Sequence, residues 1–166
     1  LHLLSRRQRQ MCIRDRKKTA MICVFIAYLT AVAWIVFFPI LYDEPVVYGN
    51  GYTWYNLVPF ATIAETVSGG FGETAFLQIF GNIFLSVPFG FFVMMWMKKP
   101  KLWKMFVFAF AFTVTIEVTQ MFIGFAINNM YRNVDIDDII LNATGAFIGF
   151  GLYKILSQNL KQKLTA

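Results

Sequence analysis

Arg132-Asn133-Val134-Asp135-Ile136-Asp137-Asp138-Ile139-Ile140-Leu141-Asn142-Ala143-Thr144-Gly145-Ala146-Phe147-Ile148-Gly149 carries charge straight into an apolar run. Arg132, Asp135, Asp138 and Asn142 stand three, three and four residues apart, the spacing of one helical face, and that face continues through Gly145 and Gly149. An ionisable group at the edge of a bilayer is costly unless partnered or wet. A stripe of this kind must face a bundle interior or a cavity, so function is sought along it.

The stretch decides the fold because its surroundings are membrane-like. The 166 residues are 58% hydrophobic and 18% aromatic, with a mean hydropathy of +0.57, and the charges sit in short segments between long apolar ones. A soluble domain of this size would lack the polar surface to cover itself. Four stretches reach the roughly 20 residues that a helix needs to cross a hydrocarbon core: Thr19 to Leu41, Ala75 to Met97, Leu102 to Ile127 and Ile136 to Leu156. The expected fold is an all-α integral membrane protein with four transmembrane helices and an interfacial or re-entrant segment between the first and second.

Charge asymmetry orients these spans. Lys98, Lys99, Lys101 and Lys104 fill the link between spans two and three, and Lys154, Lys161 and Lys163 end the fourth. The segment from Tyr42 to Thr74 holds Asp43, Glu44, Glu65 and Glu73 but no Lys or Arg, and the third-to-fourth link has Arg132 against three aspartates. Basic loops stay in the cytoplasm, so both termini are expected there, in a plasma membrane crossed several times. The net charge of +6 is then a topology signal, and nucleic acid is not an expected partner.

Residues 1 to 16 are set apart. Ser5-Arg6-Arg7-Gln8-Arg9-Gln10-Met11-Cys12-Ile13-Arg14-Asp15-Arg16 resembles a translated sequencing adapter, the alternative being a basic juxtamembrane arm that binds anionic lipid. Its five Arg and one Asp account for four of the six net charges, while Lys17 and Lys18 still flank the first span. One membrane domain over residues 17 to 166 is expected. Cys23 is read as a small apolar packing residue, and the single histidine, His2, lies in the leader. No metal site, cofactor or histidine-activated nucleophile is therefore expected.

Depth gathers the polar residues into one site. At 1.5 Å per residue, Glu117 lies about 22 Å along an outward-running third span, in the outer third of a core about 30 Å thick. Asn82 and Asn142 lie about 10 and about 9 Å below the outer face on the second and fourth spans. Each belongs to a stripe: Gln78, Asn82 and Ser86; Thr113, Glu117, Gln120 and Gly124; Asp135, Asp138, Asn142, Gly145 and Gly149. Asn82, Glu117, Gln120, Arg132, Asp135, Asp138 and Asn142 form the candidate pocket, with Arg132 placed near the carboxylates. The competing reading is structural: buried amides and hydroxyls join membrane helices for about 1 kcal/mol or less each, and Gly145-x-x-x-Gly149 is a common packing signature. A carboxyl as deep as Glu117 fits that reading poorly, since it must be protonated, wet or paired.

Trp54-Tyr55-Asn56-Leu57-Val58-Pro59-Phe60 combines interfacial aromatics with a proline that favours extended backbone before it. It is too short to span and is expected to lie at the interface or re-enter over the bundle, with Ser68-Gly69-Gly70-Phe71-Gly72 as a flexible link. Pro88 and Gly90 are expected to kink the second span and open space near its middle.

Asn56-Leu57-Val58-Pro59-Phe60, then Asn82 to Phe91, then Glu117-Val118-Thr119-Gln120, and finally Arg132-x-x-Asp135-x-x-Asp138-x-x-x-Asn142-x-x-Gly145 resemble, in order, the motifs of the VanZ-like family. The likeness covers roughly residues 19 to 156, and the last motif is the specific one. It implies a bacterial plasma-membrane protein of the cell envelope, in a family associated with teicoplanin resistance, but supplies no reaction. Three classes follow. The first is an outward-facing polar pocket that binds a lipid-linked or amphiphilic molecule and lowers sensitivity to glycopeptide or lipoglycopeptide antibiotics. Its expected partners are membrane lipids and a lipid-linked envelope precursor or amphiphilic antibiotic. The others are an enzyme using Glu117, Asp135 and Asp138 on a lipid headgroup, and a small transporter.

Overall fold

The computed structural model describes residues 2–38, 55–70, 72–128 and 132–165. Five helices and a two-residue parallel ladder follow one another: α1 (His2–Phe37), β1 (Tyr55–Asn56), α2 (Ala61–Ser68), α3 (Glu73–Trp96), α4 (Leu102–Ala126), β2 (Val134–Asp135) and α5 (Ile136–Thr165). Four segments are long and apolar enough to cross a membrane: Asp15–Phe37, Ala75–Trp96, Leu102–Ala126 and Ile136–Asn159. They coincide with the expected spans to within a few residues. The chain is thus a multi-pass membrane protein. Leu41 and Trp54, part of the expected first span and of the first external segment, lie outside the described residues.

α1 forms one compact unit and the remaining elements another. Along α1 the side chains of Ile22, Ile26, Trp34 and Ile35 are exposed, as a lipid-facing helix requires. Cys23, on the same helix, is exposed too. The helix runs without a break through the segment set apart as a leader.

In the second unit α3 and α5 approach backbone to backbone at three glycines. A Cβ on Gly145 would strike the Ile83 carbonyl oxygen, one on Gly149 the Val87 carbonyl, and one on Gly90 the Ala146 carbonyl. The polar contacts repeat the pattern: Asn82 bonds Asp138, and one turn further Ser86 bonds Asn142, each across 56 positions. Both series advance in the same chain direction, so α3 and α5 run parallel and start at the same membrane face. Gly90 and Ala146 continue the ladder at the same offset. Gly90 therefore does the opposite of what was expected of it: instead of opening space in the middle of α3, it admits the α5 backbone, and α3 stays helical through Pro88.

α4 closes the bundle with a stripe of buried residues, Met105, Ala109, Thr113, Ile116, Glu117, Gln120 and Gly124. Phe112 on α4 stacks on Phe89 of α3 with ring centroids 4.0 Å apart. The outward residues of α4, Trp103, Phe106 and Phe110 among them, are exposed, an aggregating surface in water and the natural one in lipid.

The glycine contacts give a direct expectation. Gly145→Ala forces backbone against backbone, where overpacking costs about 1–3 kcal/mol and the obstacle cannot rotate away. Gly151→Ala meets nothing within 4 Å. Thermal unfolding in detergent should show a clear loss for the first and little change for the second; equal midpoints would contradict the close helix approach.

Candidate functional site

The site is assembled where α5 begins. Asp135, the last residue of β2, accepts the Asp137 N–H on Oδ1 at 2.9 Å and so caps the helix, while Asp137 and Asp138 place further negative charge in its first turn. The ladder between β1 and β2 sets Asn56 opposite Asp135. The Asn56 amide donates to Thr62 Oγ1 at 2.8 Å and to Asp135 Oδ1 at 3.3 Å, and its own Oδ1 accepts the Val58 N–H at 3.0 Å. On the other side, the Asp135 N–H points to Glu117 Oε2 at 3.4 Å, which brings α4 to the same point.

Below this layer lies the α3–α5 ladder. Asn82 donates to Asp138 Oδ1 at 2.6 Å and Ser86 Oγ donates to Asn142 Oδ1 at 2.7 Å. Ser86, Glu117, Asp135 and Asn142 are buried, whereas Asn82 and Asp138 are only partly so. Among the described residues no buried side-chain nitrogen or oxygen lacks a hydrogen-bond partner, as a low-dielectric interior demands.

Of the residues singled out in the sequence, Asn56, Asn82, Glu117, Asp135, Asp138 and Asn142 come together. Gln120 is buried on the same stripe of α4 as Glu117. Gln78 is exposed at the end of its stripe. Arg132 departs from its expected place: α5 starts at Ile136, so Arg132 is not on the helix, and its side chain is exposed. Among the described residues it forms no ion pair, although its charge lies within electrostatic reach of Glu117 and Asp138. No group of three or more described His, Cys, Asp or Glu residues has the arrangement of a metal site.

Asp137 was not singled out. It is 1% exposed, and its carboxylate accepts the Phe60 N–H at 2.5 Å and the Ile63 N–H at 3.0 Å. It thereby caps α2 from another part of the chain, taking up donors that the helix itself cannot satisfy. Phe60, at φ 65° and ψ 6°, has the left-handed backbone of the third residue of a type II turn, closed by Ala61 N–H to the Val58 carbonyl at 3.2 Å. Pro59 suits the second position of that turn. A phenylalanine in the left-handed region is strained, and the Asp137 carboxylate holds it there.

The arrangement can hold a polar group in several ways. Amide, hydroxyl and carboxyl groups converge at one end of the bundle, an exposed guanidinium stands beside them, and lipid-facing surface lies within a turn or two. Comparison with known proteins agrees with the motifs. The family model described as VanZ/LLP1 matches residues 25–157. Protein VanZ of Enterococcus faecium is 29% identical over 136 residues, which are 82% of this chain and 74% of that protein. No solved structure matches. With the family model covering most of the chain, including every residue of the α3–α5 ladder and the polar layer above it, this protein belongs to the VanZ/LLP1 family.

Proposed function

We propose that the polar cluster at the start of α5 is an outward-facing pocket for a lipid-linked or amphiphilic envelope molecule, and that occupying it lowers sensitivity to teicoplanin and related lipoglycopeptides. The Asn82–Asp138 pair carries the reading. It lies within the span of α5 and is held at 2.6 Å, yet neither side chain is fully buried, although polar side chains at that depth are costly unless something polar meets them. A ligand with a polar head and an apolar tail satisfies both surroundings. Arg132, exposed and unpaired among the described residues, suits an anionic part of that head, since a guanidinium grips phosphate or carboxylate with two-pronged geometry. The family membership supports the resistance role.

Expression in a susceptible Gram-positive host should raise the teicoplanin concentration needed to stop growth. Arg132→Ala, and nearly as much Arg132→Lys, should remove the increase at equal membrane abundance. Full protection by Arg132→Ala would contradict the role given to this residue.

The orientation is part of the proposal: both termini are cytoplasmic and the start of α5 faces outward, because Lys98, Lys99, Lys101 and Lys104 lie at the other end of α3 and α4. Single cysteines at positions 70 and 129 should react with an impermeant reagent in intact cells, and one at position 166 should not. The reverse pattern would overturn the orientation and with it the outward pocket.

A further inference from the structure

We propose that the turn from Leu57 to Phe60 is a lipid-contact edge, whose Leu57, Val58 and Phe60 side chains pack against phospholipid acyl chains at the membrane face where α5 begins, and whose depth is set by Asp137. This reading does not depend on the pocket having a ligand.

The level of the turn comes from its hydrogen bonds. Phe60 and Ile63 donate to the carboxylate of Asp137, the second residue of α5, and the fourth candidate span starts at Ile136. At 1.5 Å per residue, Asp137 lies within about 3 Å of the end of that span. The turn is thus tied at or inside the outer boundary of the apolar spans: one residue inside the fourth and, because Asn82 is level with Asp138, about 10 Å inside the second, which starts at Ala75.

The chemistry of the turn suits that boundary. Leu57, Val58 and Phe60 are 63%, 64% and 60% exposed, an apolar group that the protein itself leaves uncovered. From Tyr55 to Ala64 there is no charged residue, and Glu65, the first one after the turn, is exposed on α2. Backbone donors are the usual obstacle to placing a loop in lipid. Here the Val58 N–H goes to Asn56 Oδ1, Pro59 has none, the Phe60 N–H goes to Asp137 and the Ala61 N–H goes to Val58 O. From Val58 to Ala61 no N–H is left free, so this part of the turn enters an apolar phase without stranding a donor.

Phe60 adds an independent reason. Glycine would adopt its left-handed backbone without strain, and the phenyl ring gains little burial within the protein in return. A bulky ring held at a strained position and turned outward has its apolar partner outside the chain. In a membrane protein, at this level, that partner is the acyl region of the leaflet.

The test uses the full chain with Cys12 and Cys23 replaced by Ser, carrying one nitroxide-labelled cysteine (Leu57→Cys, Val58→Cys or Glu65→Cys) and reconstituted in phosphatidylcholine–phosphatidylglycerol vesicles. Electron paramagnetic resonance compares collision with oxygen, which concentrates in lipid, against a water-soluble nickel chelate. The oxygen-to-nickel ratio should be several-fold higher at positions 57 and 58 than at 65, and adding Asp137→Ala should bring the ratio at 58 down towards that at 65. All three positions are exposed, so the labels do not disturb packing. Equal ratios at 57, 58 and 65 would overturn the lipid contact and favour a surface left for a protein partner. A high ratio at 58 that survives Asp137→Ala would overturn the depth-setting role of Asp137. A pocket that binds nothing leaves these ratios unchanged, so the two readings fail separately.

Discussion

Asp138→Asn is expected to abolish teicoplanin protection while the protein still accumulates in the membrane. Asn has nearly the volume of Asp, and its amide oxygen can still accept the hydrogen bond that Asn82 now gives to Asp138 Oδ1, so the α3–α5 ladder keeps its geometry. What disappears is the capacity to carry charge. If the pair only joined helices, the change would cost about 1 kcal/mol or less, too little to empty the membrane of protein. If the carboxylate meets a ligand, protection falls to the level of cells without the protein. Ile139→Leu, a nearly volume-conserving change at the neighbouring position, is the control and should do little. Equal loss of abundance in the two variants would return the cluster to a folding role.

Asp137→Ala is expected to release the segment from Tyr55 to Ser68. The carboxylate accepts two backbone N–H groups from that segment, and hydrogen bonds to a charged acceptor contribute about 1.5–3 kcal/mol each. Their loss also removes what holds Phe60 in the left-handed region, where strain is about 1–2 kcal/mol. The local opening equilibrium should shift by on the order of a hundredfold, equivalent to roughly 3 kcal/mol. Hydrogen exchange at the Phe60 and Ile63 amides reads this directly, and amides in the middle of α3 serve as the unaffected reference. Unchanged exchange at those two positions would contradict the cap.

The membrane spans were legible because apolar length is written in the sequence itself: Ala75 to Met97 and Leu102 to Ile127 end within one residue of α3 and α4. α5 runs further than the apolar stretch expected to Leu156 because Ser157 to Thr165 stays helical without being apolar, which a search for apolar length does not detect. The polar stripes on α4 and α5 were legible for a similar reason, since residues spaced three and four apart share a face wherever the helix lies. Arg132 was misplaced by the same rule, which has no force before the helix starts at Ile136. Gly90 was misread because a glycine two residues after a proline signals open space equally well as a close approach, and only the partner helix decides between them. Asp137 was missed because its role lies across 74 and 77 positions, in a cap that helix α2 receives from elsewhere. It also stands off the helical face that picks out Asp138, so spacing passes over it. The match of Asn82-x-x-x-Ser86-x-x-x-Gly90 to Asp138-x-x-x-Asn142-x-x-x-Ala146 was present in the sequence, but the pairing that gives it meaning needs the parallel arrangement of α3 and α5.

Whether the cluster holds an amphiphile is tested most directly by identifying what leaves the membrane with the protein. Wild-type, Glu117→Gln and Asp138→Asn proteins would be extracted in mild detergent, brought to equal amounts and analysed by native mass spectrometry for bound lipids and lipid-linked molecules. Glu117 is buried beside the Asp135 backbone and Asp138 bonds Asn82, so the two variants alter the site from α4 and from α5 separately. A defined amphiphile with an anionic or otherwise polar head should be retained by the wild type and lost from both variants. The same bound species in all three proteins at the same occupancy would contradict a ligand pocket at the start of α5.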